Sequence, residues 1–262
     1  MKDIGGWATK ISTSMFISTS QGDILIDFTD QSVVGIKLSG GLDSAIVFYM
    51  LCKHITENEL KTAILPITLN DWAKPFQGEF SKRVTYWMKN NFPTVEILPN
   101  AIKQCPEDGK AYEKEQDIHL YETHQQTPFD IYFTGINKNP PKEVYLQFYN
   151  SEKELLEGPT DERNIEQPIS IEHPYFWNPD GYWQIGKTSD NGVKKGNMTS
   201  ISLLMNLDKK GIAELYDQFD LRQTLMMATR SCENFDPIVT NNFTTHCHTE
   251  CWWCHERHWG FD

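Results

Sequence analysis

Short apolar runs alternate with amphipathic segments through the first half of the chain, and turn-forming residues bound each run. The apolar, β-branched runs predict strands at 32–38, 62–68, 94–98 and 131–136. The segments between them predict helices at 45–55, 79–90 and 110–126. Strands that alternate with helices at this spacing indicate an α/β fold, in which a Rossmann-like parallel sheet carries helices on both faces.

The pattern changes on either side of this alternation. Residues 11–28 predict a hairpin of two short strands, whereas residues 138–198 are rich in Pro, Gly, Asn and aromatic residues and predict an irregular insertion or lid. Helical periodicity returns at 208–219 and, more briefly, at 221–228. We therefore divide the chain into a main domain, residues 1–228, and a cysteine-rich tail, residues 229–262.

Composition limits the class of partner. The chain has 262 residues, 39% of them hydrophobic, which is enough for one substantial core. The net charge of −12 gives no general attraction to nucleic acid or anionic lipid. Because the chain has no apolar run of about 18 residues and its first residues lack a signal-peptide pattern, we expect a soluble cytoplasmic protein. The oligomeric state is left open, with a homodimer as the alternative to a monomer.

The first strand of the predicted sheet leads into a loop of the kind that binds anions. Two glycines and two serines directly before a helix can direct backbone N–H groups and hydroxyls at one ligand. The candidate binding residues are Leu38, Ser39, Gly40, Gly41, Leu42, Asp43 and Ser44. Residues 135–137 end another strand at the same edge of the sheet, where ligands of parallel sheets bind. The alternative is a plain turn with a helix N-cap.

The sequence SGGLDS of this loop resembles the SGGxDS signature of the N-type ATP pyrophosphatases, the PP-loop or adenine nucleotide α-hydrolase-like family. The resemblance implies that the loop holds the pyrophosphate of ATP while a substrate carboxylate attacks the α-phosphate. It also implies Mg²⁺ as a cofactor, with Asp43 beside the metal ion and catalytic roles for Asp43 and Ser44. The SGGLDS loop does not follow the Walker pattern GxxxxGK[ST], so this loop does not indicate a kinase-like phosphate site.

Four of the six cysteines cluster near the end of the sequence. A CxxC pair, Cys251 and Cys254, is typical of one half of a tetrahedral zinc site, and Cys232 is a suitable third ligand. The fourth ligand is either Cys247 or His248, which the spacing does not distinguish. The alternatives to a Zn²⁺ site are a redox-active dithiol and simple burial of small apolar side chains.

The tail strengthens the resemblance to one branch of the PP-loop family, the 7-cyano-7-deazaguanine synthases of the queuosine pathway. The matching positions are Lys209, Lys210, Ile212, Thr229, Ser231, Cys232, Cys251, Cys254, Arg257, Gly260 and Phe261. This resemblance implies catalytic roles for Lys209 and Lys210 and a structural zinc ion. It implies an ATP-dependent carbon–nitrogen ligase whose partners are a small carboxylate, such as 7-carboxy-7-deazaguanine, and ammonia.

Three other functions fit the same loop. One is amidation similar to that of asparagine synthetase; because the chain starts Met1-Lys2 and offers no N-terminal cysteine nucleophile, ammonia would arrive free or from a partner. Another is a sulfur-transferring or tRNA-modifying enzyme, which the charge of −12 disfavours in its tRNA-binding form. The third is a nucleotide-binding module without turnover, which would leave bound ATP intact.

Overall fold

The computed structural model describes residues 14–28, 31–71, 76–105, 112–141, 143–144, 183–184, 197–232 and 251–262. The strands within these ranges are β1 Met15–Thr19, β2 Gly22–Ile26, β3 Val33–Lys37, β4 Ala63–Asn70, β5 Ala101–Gln104, β6 Ile131–Asn137, β7 Trp183–Gln184 and β8 Asn197–Leu204. The α-helices are α1 Leu42–Glu57, α2 Gln77–Asn91, α3 Tyr112–Gln126, α4 Lys209–Gln218 and α5 Trp252–Phe261. A 3₁₀ helix spans Leu225–Ala228.

Strands β3 to β8 form one sheet in the order β5-β4-β3-β6-β8-β7. The first five are parallel, and β7 pairs antiparallel with β8 at the edge. Strands β1 and β2 form the predicted antiparallel hairpin beside it. The chain is therefore an α/β protein built on a parallel sheet flanked by helices, which confirms the predicted fold class.

Hydrophobic residues pack on both faces of this sheet. Neighbouring residues of β4 point in opposite directions: Ile64 joins the larger hydrophobic cluster, whereas Leu65 joins the smaller one. Helix α1 packs within the larger cluster, and its residues 45–48 are fully buried there. The smaller cluster includes Leu120 of α3 on the opposite face. Side-chain alternation along the buried strand thus explains why helices cover both faces.

One strand lies later in the chain than the sequence predicts. The apolar run at 94–98 contributes a single bridge, between Ile64 and Ile97, and the paired strand β5 begins at Ala101. Pro99 separates the two stretches, and proline has no N–H group to continue a ladder. The strand prediction at 94–98 was therefore wrong in position, although the place of this strand in the alternation was right.

Strand β8 and helix α5 were not predicted. Strand β8 is buried, but two of its inward positions are Ser200 and Ser202, and Ser202 shares a 2.7 Å hydrogen bond with Thr134 of β6. Such polar pairs interrupt the apolar run that identifies a buried strand. In the tail, Phe261 of α5 joins the larger hydrophobic cluster of the main domain.

Most of the predicted insertion, at 145–182 and 185–196, lies outside the described residues. Its proposed role as a lid therefore stays a prediction. The shorter helical stretch predicted at 221–228 is a 3₁₀ helix over its last four residues, Leu225–Ala228. Among the described helices, none combines the length and hydrophobicity needed to cross a bilayer.

Candidate active site and metal centre

The SGGLDS loop connects β3 to α1, and its first glycine has no room for a side chain. Gly40 has a φ angle of +78°, in the region that favours glycine. A methyl group at Gly40 would lie 2.6 Å from Phe80 Cβ and 2.7 Å from the Ser81 nitrogen. The loop therefore presses directly against α2. Both the backbone angle and the close approach require glycine at this position.

The first turn of α1 has an arrangement of donors that is suited to an anion. Gly41 is the N-cap residue in an extended conformation, and no side chain caps the helix there. The hydroxyls of Ser39 and Ser44 lie 3.2 Å apart, and Ser44 Oγ also donates to the Gly41 carbonyl at 3.3 Å. Backbone N–H groups in the first turn of a helix have no partner within the helix, and the helix dipole is positive at this end. A phosphate group fits this combination of donors.

The two leucines of the predicted binding set point away from a ligand. Leu38 and Leu42 are buried in the hydrophobic core, so only their backbone atoms can face the loop. The hydroxyl of Thr68 donates to the Leu38 carbonyl at 2.7 Å, and Asn100 Nδ2 donates to Ser81 Oγ at 3.0 Å. The hydrogen bonds of Thr68 in β4 and of Asn100, directly before β5, thus support the loop and the α2 residue that packs against it.

The end of β6 meets the start of α1, as the sequence predicted for residues 135–137. A methyl group at Gly135 would lie 2.6 Å from the Ser44 nitrogen and 2.9 Å from the Asp43 carbonyl carbon. Strands β3 and β6 are neighbours in the sheet, although β4 and β5 lie between them in the sequence. The loop therefore lies at a point where the strand order reverses, which is where open α/β sheets bind ligands.

Lys209, the first residue of α4, is buried against this loop. Its Nζ lies 2.6 Å from Asp43 Oδ1 and 2.5 Å from Oδ2. A second carboxylate, Glu256 of α5, lies 3.6 Å from the same Nζ. Lys210, the other predicted catalytic lysine, is exposed, and its Nζ lies 5.0 Å from the ring centroid of Trp259. The structure therefore brings Lys209 to the loop and turns Lys210 away from it.

Three further residues lie around Lys209: Tyr216 and Glu256, which sequence reasoning did not use, and Gly260, which it matched only as part of the family pattern. Tyr216 donates its hydroxyl to the Leu42 carbonyl at 2.9 Å, and burial raises the pKa of this phenol well above its usual value. A methyl group at Gly260 would lie 2.4 Å from Lys209 Cβ, so α5 packs closely on the start of α4. Glu256 follows Cys254 by two residues, but nothing in the local pattern shows that it faces Lys209.

The thiols of Cys232, Cys251 and Cys254 converge as the sequence predicted. All three are buried, and their sulfur atoms lie within 4.8 Å of one another. Hydrogen bonds with the other two thiols, together with burial, raise the pKa of Cys254 in the metal-free protein. In a tetrahedral site with Zn–S bonds of about 2.3 Å, neighbouring sulfurs are about 3.8 Å apart, so the upper limit of 4.8 Å on these separations is compatible with ligands of one ion. The two candidates for the fourth ligand, Cys247 and His248, lie outside the described residues.

The thiol cluster is connected directly to the loop. The backbone N–H of Arg230 donates to the Gly40 carbonyl at 3.0 Å, and Cys232 follows Arg230 by only two residues. The guanidinium of Arg230 donates through Nε to the Cys232 carbonyl at 3.2 Å and lies over the ring of Phe76, 5.1 Å from its centroid. The thiol cluster therefore lies close to the loop.

Comparisons with known proteins add little to this geometry. No protein-family model and no curated protein matches the sequence. Among solved structures, the chain is similar to the U34-tRNA thiolase NcsA from Methanococcus maripaludis with its [4Fe-4S] cluster. The two share 11% identity at a TM-score of 0.43, over 74% of this chain and 59% of the thiolase chain. This chain thus spans less than two thirds of that protein, and its thiolase activity and cluster belong to that protein.

Proposed function

We propose that this chain is an ATP-dependent ligase of the PP-loop kind, which releases pyrophosphate and joins AMP to a substrate carboxylate. One arrangement carries the proposal: the open first turn of α1, the Ser39 and Ser44 hydroxyls, and the Asp43–Lys209 pair lie together at the carboxyl edge of the sheet. Donors, a cation and a carboxylate in that arrangement suit a phosphate chain with its metal ion.

Each group has a distinct part in the proposed reaction. The N–H groups of the α1 first turn and the two hydroxyls hold pyrophosphate oxygens, which favours departure of the pyrophosphate. Lys209 supplies a positive charge at the same place. Asp43 would hold Mg²⁺, because its side chain is 24% exposed and so can be reached from the loop. The metal ion supplies further neutralisation of the phosphate charge.

The thiol cluster supports a structural zinc ion in this proposal. The convergence of Cys232, Cys251 and Cys254, whose sulfur atoms lie within 4.8 Å of one another, supports a single bound ion. Zinc bound there would join the segment after the 3₁₀ helix to the start of α5 and so stabilise the fold. Its contribution is to structure rather than to the chemistry of ATP.

The proposed acceptor is a small carboxylate of the 7-carboxy-7-deazaguanine type. The support is the resemblance at both ends of the chain, in the loop and in the tail. In this proposal ammonia displaces AMP to give an amide, and a second ATP drives dehydration of the amide to a nitrile. Both the amide-forming step and the dehydration step would use the same loop, because each begins with the transfer of AMP to an oxygen of the substrate and the release of pyrophosphate.

The test is to incubate zinc-loaded protein with MgATP, ammonium and 7-carboxy-7-deazaguanine, and to identify the products by mass spectrometry. We expect AMP, pyrophosphate and the amide or nitrile of the base. Omitting the base is the control for uncoupled hydrolysis. AMP without a base product would reassign the acceptor, and intact ATP under all conditions would contradict the proposal.

A second candidate is sulfur transfer, the chemistry in the thiolase's name, and the nearness of three thiols to the loop favours it. This function would need an iron–sulfur cluster or an exchangeable thiol at the cysteines. Thiolates bound to separate irons of a cluster must stand further apart than ligands of one ion. Anaerobic reconstitution with iron and sulfide, followed by absorption spectroscopy and metal analysis, separates the two. A stable cluster would favour sulfur transfer, and one tightly held zinc would favour the ligase.

A further inference from the structure

Lys209 lies between two carboxylates that differ sharply in exposure. The Lys209 side chain is 2% exposed, and its Nζ contacts Asp43 at 2.5 Å and Glu256 at 3.6 Å. The Asp43 side chain is 24% exposed, whereas that of Glu256 is completely buried. A ligand or cation entering the loop can therefore reach Asp43, but it cannot reach Glu256.

This difference matters once Asp43 binds something other than Lys209. In the structure described here, Asp43 holds Lys209 through both carboxylate oxygens. Binding a magnesium ion would draw this carboxylate away from the lysine. A buried ammonium without a nearby negative charge is strongly unfavourable, so the Lys209 side chain would leave this position. The lysine thus needs a second counter-ion that the ligand does not touch.

We propose that Glu256 is that second counter-ion: a positioning residue that holds the Lys209 ammonium in place when Asp43 turns to the magnesium of the bound nucleotide. This inference rests on the proposed function, because it assumes that a metal-bound phosphate chain enters the loop. Glu256 contacts neither the phosphate nor the metal ion. It acts only through Lys209.

Helix α5 explains how Glu256 reaches a lysine 47 residues away in the sequence. The helix begins directly after Cys251, and Cys254 lies in its first turn, two residues before Glu256. Its last turn is fixed as well, because Gly260 packs against the backbone of Lys209. The thiol cluster at one end and this contact at the other set the position of the Glu256 carboxylate. Metal binding at the cysteines would therefore help to position a lysine of the ATP site.

The experiment measures the affinity of the zinc-loaded full chain for pyrophosphate, with and without Mg²⁺, by calorimetry. The variant is Glu256→Gln, which keeps the shape of the side chain and removes its charge. We expect affinity for Mg-pyrophosphate to fall about tenfold or more, the size of effect seen for groups that support a ligand indirectly. Affinity for pyrophosphate without metal should change by less than about threefold, since Asp43 then remains with Lys209.

Two variants complete the design. Glu256→Asp keeps the charge on a shorter side chain, so its affinity for Mg-pyrophosphate should lie between that of the wild type and that of Glu256→Gln. Asp262→Asn, on the same helix, removes an exposed carboxylate that pairs with His258 and should change neither affinity. Metal content and circular dichroism of each variant show that the thiol cluster and the fold are kept. If Glu256→Gln loses its metal, Glu256→Asp carries the test and should still show a weakening confined to the Mg²⁺ condition.

Equal weakening with and without Mg²⁺ would show that Glu256 only stabilises the fold, and unchanged affinity would show that Lys209 needs no second counter-ion. Either result would overturn the inference, as would wild-type protein that binds no Mg-pyrophosphate. The AMP assay is separate from this measurement. A magnesium-specific effect without AMP formation would remove the proposed function and leave the role of Glu256 standing, whereas AMP formation without that effect would do the reverse.

Discussion

The SGGLDS loop and helix α5 reach the same lysine–aspartate pair by different physical means. The loop works mainly through its backbone, and its glycines leave no space for added atoms at Gly40. Helix α5 works through side chains, with thiols at its start and the carboxylate of Glu256 in the middle. Adding atoms to the loop should therefore distort it, whereas removing the thiol ligands of the metal ion should destabilise helix α5.

The Asp43→Asn variant tests the Asp43–Lys209 pair, which the loop and helix α5 both reach. Removing the charge takes away the partner of Lys209 and the expected ligand of Mg²⁺. We expect AMP formation to fall at least about 100-fold, as when a pre-positioned group of an active site is lost. The thermal midpoint should stay close to that of Asp23→Asn, an exposed control on the β1–β2 hairpin. Full activity in Asp43→Asn would remove Asp43 from the reaction.

The Cys251→Ser variant breaks the helix side of the comparison. Cys251 is both a member of the thiol cluster and the N-cap of α5, with its sulfur accepting from the Cys254 N–H at 3.4 Å. Losing the metal should lower the free energy of unfolding by about 4 kcal/mol or more. Metal analysis and denaturant unfolding measure the two effects together. Cys52→Ala, a buried cysteine of α1, is the matched control and should keep its metal.

For Cys251→Ser, the contradicting result is a metal-free protein that unfolds at the same denaturant concentration as the wild type. That outcome would mean that packing alone holds α5 in place. The comparison between loop and helix would then rest only on Glu256 and its contact with Lys209.

The Gly40→Ala variant breaks the loop side, and Gly41→Ala is its matched control. An added methyl at Gly40 meets Phe80 at 2.6 Å and the backbone angle is unfavourable, so we expect a loss of about 3 kcal/mol in stability and weaker ATP binding. At Gly41 the nearest neighbour would be Ser39 Oγ at 3.3 Å, and φ is −81°. Equal behaviour of the two variants in denaturant unfolding and ATP titration would contradict this account.

The Gly260→Ala variant sharpens the link between the two regions. The new methyl would lie 2.4 Å from Lys209 Cβ and should push α5 away from α4, at a cost of about 2 kcal/mol. The thiol cluster at the other end of the helix should keep its metal. We therefore expect normal metal content with reduced affinity for Mg-pyrophosphate. Unchanged affinity in calorimetry would show that the close contact of α5 with Lys209 has no effect on the loop.

The parts predicted correctly share one property: their signal is local. Strand β3, the glycine turn and helix α1 follow each other without a gap, so one short stretch contains both the fold and the anion-binding groups. The CxxC pair is equally local. Strand β8 was missed because the buried hydrogen bond between Ser202 and Thr134 replaces the apolar pattern, and that bond joins residues 68 positions apart.

The candidate site was only partly visible for the same reason. Lys209 and Lys210 are adjacent and look alike in sequence, yet one is buried at Asp43 and the other is exposed beside Trp259. The direction in which each side chain points around the helix axis decides which lysine meets Asp43. That direction depends on which neighbours pack on α4. Glu256 and Tyr216 were missed because their partners, Lys209 and Leu42, lie far away in the chain.

By itself, the sequence determined the alternation of strands and helices, the glycine turn before α1 and the cysteine spacing, because these depend on backbone preferences and on neighbours a few residues apart. Only the tertiary structure decided which charges meet there. The bond between Lys209 and Asp43 spans 166 positions, and it exists because the strand order and the packing of α4 and α5 bring the two together. Contacts at that separation depend on the whole core, so no local pattern encodes them.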